Sequence, residues 1–467
     1  MKRYTIGLFT TLLLSFLIVE TAIAQKPDLA GNWSGKIKLP TGELEIIFKI
    51  TQNDGKYEAK MDVPKQGASD LPVGDVLVID DSVSIAVPVI LGNYSGHFSS
   101  PDSVSGKWKQ SGMTFDVNLV RIDEVAPLLR PQTPEPPFPY LSEEVEYINP
   151  ESGLKLAGTI TIPKDVDACP AVVMITGSGA QNRDENIFGH KPFAVIADFL
   201  TQNGITVLRV DDRGVGDSEG NVSTSTSLDF ADDVLAGVNF LKKRKEIDPR
   251  KIGLIGHSEG GLIAPLVATK SHNIAFIVML AGPGTAGEQI LYEQAALIAK
   301  AAGLPDYSVE QNKRSQQRIF EVVKSEPDTA KAREKLREAI TQGMYTGMNE
   351  DMKKAIDAQI SSVNSNWFRY FLTYDPKPTL AKVKCPVLAL NGSKDLQVQV
   401  SNLEAIIKAV NSGNNMNVDT VRFANHNHLF QNCETGAVAE YAQIEETIDP
   451  EVLTVIKDWI LEQTSAK

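Results

Sequence analysis

The sequence predicts an α/β fold, a doubly wound and mostly parallel sheet with a helical lid insertion, preceded by a small antiparallel β domain. Three observations predict it. Strand-like and helical runs alternate from about residue 155 onward. That alternation stops between AGPGTAGEQ and CPVLALNG, where the chain turns helical and charged. Short strand-like stretches separated by Gly, Asn and Asp turns fill Leu29 to Ile122, ahead of a proline-rich break. With 467 residues, 42% hydrophobic and 22% charged, the chain is large enough for two or three domains with sizeable cores.

Residues 1–24 stand apart. Lys2 and Arg3 precede an apolar run from Ile6 to Val19, and Ala22-Ile23-Ala24 forms a small-x-small cleavage site. This segment reads as a secretory signal cut near Ala24, which implies a secreted or periplasmic protein. An uncleaved anchor is the weaker reading, because the run is short for a membrane span. No membrane span is therefore expected after cleavage. The net charge of −13 stays acidic without Lys2, Arg3 and Glu20, and it disfavours nucleic acid and anionic membranes as partners. Nothing in the sequence sets the oligomeric state.

Residues 25–123 read as a β-rich domain, since stretches such as ELEIIFKI, SVSIAVPVI and TFDVNLVR alternate at strand periodicity. Trp33 and Trp108 are its candidate stacking residues for a polysaccharide, although tryptophans in such sheets more often belong to the core. Residues 124–141 form a stiff linker with six prolines from Pro127 to Pro139. Residues 142–467 make up the catalytic domain. EEVEYI and KLAGTITIP predict a hairpin around NPESG. AVVMITG, TVLRV and KIGLIGHS predict strands, with helices around Pro192, over Leu228–Lys243 and from Gly260. Phe230, Val234, Val238 and Leu241 mark one buried helical face. The helical interruption, residues 284–380, reads as an inserted lid. A helix over Leu403–Val410, the strand around VDTVRFANHNH and a helix over Pro450–Glu462 close the domain.

Cys169 and Cys385 each precede a proline at the head of an apolar run and read as buried strand-start thiols, and no role is assigned to Cys433. No CxxC or HxxxH spacing accompanies them, so neither a metal nor another cofactor is expected.

The chemistry concentrates at Gly256-His257-Ser258-Glu259-Gly260, a G-x-S-x-G sequence between an apolar strand and a helix. Glycines on either side admit a tight turn that lifts the Ser258 hydroxyl above the sheet, and the following helix directs amide N–H groups at whatever binds there. A serine needs a base and a group to orient that base. Asp395, past the strand of PVLALNGSKD, and His428, past the last strand, supply them in the order Ser, Asp, His. His426 is the rival base. His428 is preferred because LFQ follows and can anchor its loop, while His257 reads as a hydrogen-bonding neighbour. An acyl transfer also needs oxyanion donors, expected from the backbone N–H of Glu259 and of Ser178 in TGSGAQNRDE, where Gly177 lets the backbone approach closely. Arg183 and Asp184 read as loop-fastening ion-pair residues, and Asp212 and Arg213 as braces of the elbow.

GSGAQNRDE, RVDDRGVGDS, GHSEGG, NGSKDLQV and NHLFQ, in that order, resemble the α/β-hydrolase superfamily, in particular bacterial secreted carboxylesterases with a β-rich N-terminal domain. The resemblance runs from about Ala30 onward. It implies a serine esterase acting on a small-molecule ester of short to medium acyl length through Ser258, Asp395 and His428. Thr176 stands where many relatives have histidine. Thioesterase, acyltransferase and serine peptidase chemistry use the same three residues and stay open. The β domain is too short for the multi-bladed propeller of prolyl-oligopeptidase-like peptidases. From a different class, a non-catalytic envelope binding protein also stays open.

Overall fold

The computed structural model describes residues 28–39, 42–53, 55–64, 68–110, 112–124, 129–164, 166, 168–342 and 350–465. The expected signal segment lies outside the described residues.

Nine antiparallel strands come first: β1 (Gly31–Leu39), β2 (Gly42–Asn53), β3 (Lys56–Val63), β4 (Ala68–Pro72), β5 (Val76–Ile79), β6 (Ser82–Val87), β7 (Gly92–Ser100), β8 (Ser103–Gln110) and β9 (Met113–Ile122). Their order is β4-β3-β2-β1-β9-β8-β7-β6-β5. Side chains from across this sheet, among them Trp33, Phe48, Met61, Ile85, Tyr94 and Trp108, meet in one core, which a sheet achieves by curling around it. Trp33 and Trp108 are fully buried there, with Trp33 Nε1 donating to the Leu29 carbonyl oxygen at 2.8 Å. This corrects the polysaccharide-stacking role: a ring enclosed by its own sheet presents no face to a sugar.

From Leu129 onward the linker is held by side chains rather than by regular structure. Arg130 donates to the carbonyl oxygens of Phe188, Ala442 and Ile444. Gln132 donates to Ile448 O and accepts the N–H groups of Thr447 and Ile448.

The second sheet holds β10 (Leu141–Ile148), β11 (Lys155–Ile162), β12 (Cys169–Ile175), β13 (Thr206–Val210), β14 (Ile247–His257), β15 (Ile277–Leu280), β16 (Val387–Gly392) and β17 (Val418–Phe423), in the order β10-β11-β13-β12-β14-β15-β16-β17. The expected hairpin pairs β10 with β11, and the six strands from β13 to β17 run parallel. Both faces are covered, and successive residues serve opposite sides. Ile277, Met279, Val387 and Ala389 enter one core while Val278, Leu280, Leu388 and Leu390 enter the other. Continuous apolar strands are what such double coverage requires. Helices α1 (Pro192–Gln202), α2 (Ser227–Leu241) and α3 (Glu259–Lys270) alternate with the strands.

Between β15 and β16 lie α4 (Gly287–Ala301), α5 (Asp306–Ser325), α6 (Thr329–Thr341), α7 (Glu350–Val363), α8 (Asn366–Thr373) and the single turn α9 (Lys377–Leu380). Ile319, Phe320, Leu336, Ile360, Phe368 and Leu372 give this insertion a small core of its own. After β16 follow α10 (Asn402–Ser412), the turn α11 (Val438–Tyr441) and α12 (Pro450–Thr464). Cys169 and Cys433 are buried free thiols, whereas Cys385 is only partly buried because it precedes β16 by two residues.

Candidate active site

Ser258 caps α3 with φ 53° and ψ −115°, a conformation that non-glycine residues adopt only when their surroundings impose it. The surroundings here leave no slack. A Cβ on Gly256 would lie 2.0 Å from the Gly260 carbonyl oxygen, and one on Gly260 would lie 2.2 Å from that of Ile175. The Ser258 N–H donates to Leu280 O at 2.8 Å, which locks the turn onto β15.

Asp395 follows β16 and is buried. Its Oδ1 accepts the N–H groups of Gln397 and Val398 at 2.8 and 2.9 Å, and its Oδ2 lies 2.7 Å from His428 Nδ1. The carboxylate therefore holds the tautomer with the proton on Nδ1, leaving Nε2 as the basic nitrogen. Ser258 and His428 line the same cavity of about 230 Å³. Among the described residues the Ser258 hydroxyl makes no hydrogen bond to His428, an apo geometry that substrate binding commonly tightens. His426 is engaged elsewhere: Nδ1 meets Ala424 O at 2.7 Å and Nε2 meets Asp449 Oδ2 at 2.9 Å.

The loop after β12 closes one side of the cavity. Gly177 N–H donates to Glu185 Oε1 at 2.6 Å, while the Ser178 N–H has no acceptor among the described residues. The Glu259 N–H belongs to the first turn of α3, where helix geometry supplies no acceptor. Thr176 donates to Asp212 Oδ1 at 2.7 Å, and Gln181 N–H donates to Oδ2 at 2.9 Å.

Arg183 fastens this loop by pairing with Glu144, Asp211 and Asp217, and Asp184 pairs with Arg209 and Lys191. Two other placements differ from the sequence reading. Asp212 braces the loop after β12 rather than the elbow. Arg213 reaches away from the elbow to α2, with Nε 2.6 Å from Asp233 Oδ2, and also bonds Ser225. The turn after β13 sends successive side chains in different directions, so neighbours in sequence serve separate elements.

Two buried carboxylates were not foreseen as side-chain contributors. Glu185 Oε1 lies 3.0 Å from His257 Nδ1, and His257 Nε2 lies 3.0 Å from the His428 carbonyl oxygen. Glu259 accepts from Ser227 Oγ at 2.6 Å and from Trp367 Nε1 of α8 at 2.8 and 2.9 Å. Burial raises the Glu259 carboxyl above its ordinary range, and hydrogen bonds from Ser227, Trp367 and Ser178 pull it back. Ile290, Leu291, Trp367 and Phe371 of the insertion supply an apolar side of the cavity, and Trp367 stacks on Phe371 at 5.4 Å. The aromatic cluster in NWFRYF was the one sequence signal for this wall. Among the described residues no group of histidine, cysteine and carboxylate side chains is arranged to hold a metal, and no helix is long and apolar enough to cross a membrane.

Comparison with known proteins follows the same core. Esterase EstD of Thermotoga maritima is 26% identical over 325 residues, covering 68% of this chain and 69% of its own length. Thiohydrolase aneE of Aspergillus aculeatus is 33% identical over 136 residues, 29% of this chain and 40% of its own. The solved Pyrococcus furiosus esterase Pf2001 superposes with a TM-score of 0.46 and 17% identity over 73% of this chain and 99% of its own. The family model described as X-Pro dipeptidyl-peptidase (S15 family) matches residues 152–428, from the β10–β11 turn to His428. The chain thus belongs to the X-Pro dipeptidyl-peptidase (S15) family and is a serine hydrolase with an α/β-hydrolase core.

Proposed function

We propose that the protein is a secreted carboxylesterase that cleaves small esters of short to medium acyl length through an acyl-enzyme on Ser258. One observation carries the proposal: the 2.7 Å bond from Asp395 to His428 Nδ1 turns Nε2 into a base within the cavity that Ser258 enters from a strained turn. His428 takes the Ser258 proton as the hydroxyl attacks the ester carbonyl, and then passes it to the departing alcohol. Water repeats the sequence to release the acid. The N–H groups of Glu259 and Ser178 receive the oxyanion, where removal of one such donor typically costs about 3–4 kcal/mol in the barrier. A cavity of about 230 Å³ suits a small acyl group better than a long chain.

The family description raises a second reading, cleavage of a dipeptide from a peptide amine terminus. Such a substrate brings an ammonium group that needs an unoccupied anion. Both carboxylates lining the cavity are already engaged, Glu185 by His257 and Gly177 and Glu259 by Ser227 and Trp367, which favours the ester reading.

The test is hydrolysis of a graded series of p-nitrophenyl acyl esters and an X-Pro p-nitroanilide by wild type, Ser258→Ala and His428→Ala. The proposal expects ester turnover that peaks at short acyl chains and falls to background in both variants. Preferential cleavage of the anilide would overturn it in favour of the peptidase. Mass analysis of the exported protein, with Gln25 as its first residue, tests the secretory part.

A further inference from the structure

We propose that His257 is a positioning residue that works as an imidazolium, held doubly protonated between Glu185 and the main chain of His428, where it ties the oxyanion-side loop to the base loop and sets the acid limb of the reaction. The inference rests on the Ser258, His428 and Asp395 reading above.

Both ring nitrogens of His257 face acceptors, Glu185 Oε1 and the His428 carbonyl oxygen, each at 3.0 Å. A carbonyl oxygen only accepts, so Nε2 carries a proton, and a neutral imidazole has no second one. Nδ1 would then turn a bare lone pair toward Glu185 unless another proton lies between them. Glu185 Oε1 also accepts the Gly177 N–H at 2.6 Å, a contact that favours the carboxylate form and with it a proton on the ring. Glu185 holds φ 50° to make both contacts and is itself buried.

The arrangement joins two parts of the site. Gly177 immediately precedes Ser178, and the His428 carbonyl belongs to the residue that bears the base. One proton-bearing ring thus spans from the loop after β12 to the loop after β17. The His257 and His428 ring centroids are 4.7 Å apart, so a cation on the first opposes a premature proton on the second. Loss of the second proton from His257 breaks one of its two bonds and leaves Glu185 uncompensated.

Among the described residues the titratable groups acting on His257 are Glu185 and Asp395, with the His428 ring beside it, Glu259 on the same cavity and Asp212 beyond Glu185 on the β13 turn. Burial opposes the charge on His257, but Glu185, the His428 carbonyl and Asp395 outweigh it and hold the ring above the ordinary histidine range.

Nitrogen spectra of the full-length enzyme labelled with [15N]histidine read the protonation state directly. At about pH 8, above the ordinary histidine range, the proposal expects a ring with both nitrogens protonated whose signals vanish in His257→Gln; Glu185→Gln provides the assignment should that variant fail to fold. A neutral His257 tautomer at that pH would overturn it. The pH profile of kcat/KM adds the functional test. His257→Gln is expected to move the acid limb upward by about one pH unit, and His257→Gln/Glu185→Gln to return most of that shift. A lower rate with an unmoved limb would reduce His257 to packing. If instead Ser258→Ala kept full activity, the underlying triad would fail while the spectra still reported the His257 proton.

Discussion

Trp367, on the helical insertion, donates its indole N–H to both carboxylate oxygens of Glu259, the residue after Ser258, at 2.8 and 2.9 Å. The insertion is thereby bolted to the start of α3 through a charge-assisted bond inside the cavity. Asn366 adds a second tie by donating to Thr224 O at 3.1 Å.

Trp367→Phe keeps an aromatic ring on Phe371 but removes the N–H, leaving the buried Glu259 carboxylate short of a donor. The variant should lose about 1.5–3 kcal/mol of stability, the usual worth of a hydrogen bond to a charged group, and kcat/KM on short esters should fall by about tenfold as the cavity wall loosens. Urea unfolding and ester kinetics on the same samples check both, and an unchanged unfolding midpoint would show that the bond contributes nothing.

Asp212 should make stability pH-dependent. Protein atoms enclose the carboxylate although part of the residue remains accessible, and this loss of solvent pushes it up to about 7; Thr176 and Gln181 pull it down, and Glu185 and Glu259 raise it again. A folded carboxyl above its unfolded value of about 4 binds more protons than the unfolded chain does. Its contribution therefore worsens as pH rises from about 4 to 7, and the penalty persists above that. Asp212→Asn removes the penalty, so its melting temperature relative to wild type should improve from pH 4 to pH 8. A difference constant across that range would contradict the argument.

The two histidines of NHNH should separate cleanly. Asp395→Asn leaves the shape intact but presents the wrong tautomer to His428, a change expected to lower kcat by about 10⁴-fold. His426→Gln, remote from the cavity, should keep ester turnover while losing the bond to Asp449 at the N-cap of α12. A fall in kcat for His426→Gln comparable to that for Asp395→Asn would reassign the base.

Much of this architecture can be read from local pattern. The glycine at 256 is demanded by a contact within a few residues, the Gly260 carbonyl oxygen, whereas the one at 260 is demanded by Ile175 on a neighbouring strand. Val387 to Leu390 read as a strand buried on both faces because every residue in the run is apolar. The order of Ser258, Asp395 and His428 along the chain is also visible without coordinates. Pairings across the fold are not. His257 meets Glu185 across 72 residues and Glu259 meets Trp367 across 108, and no periodicity links either pair. Asp212 and Arg213 went to other partners for the same reason: a turn sends adjacent side chains to different elements, and only tertiary packing sets which. The charged faces of α5 and α6 announce helices in the insertion, but not that Trp367 and Phe371 of α8 would reach the cavity.

The most direct test is reaction of the enzyme with a fluorophosphonate, followed by mapping of the adduct by peptide mass spectrometry. The account predicts a single phosphonyl group on Ser258, absent from Ser258→Ala and strongly slowed in His428→Ala, with ester turnover lost in proportion to labelling. Full ester turnover by an enzyme labelled at Ser258, or an adduct on another residue with Ser258 unmodified, would contradict it.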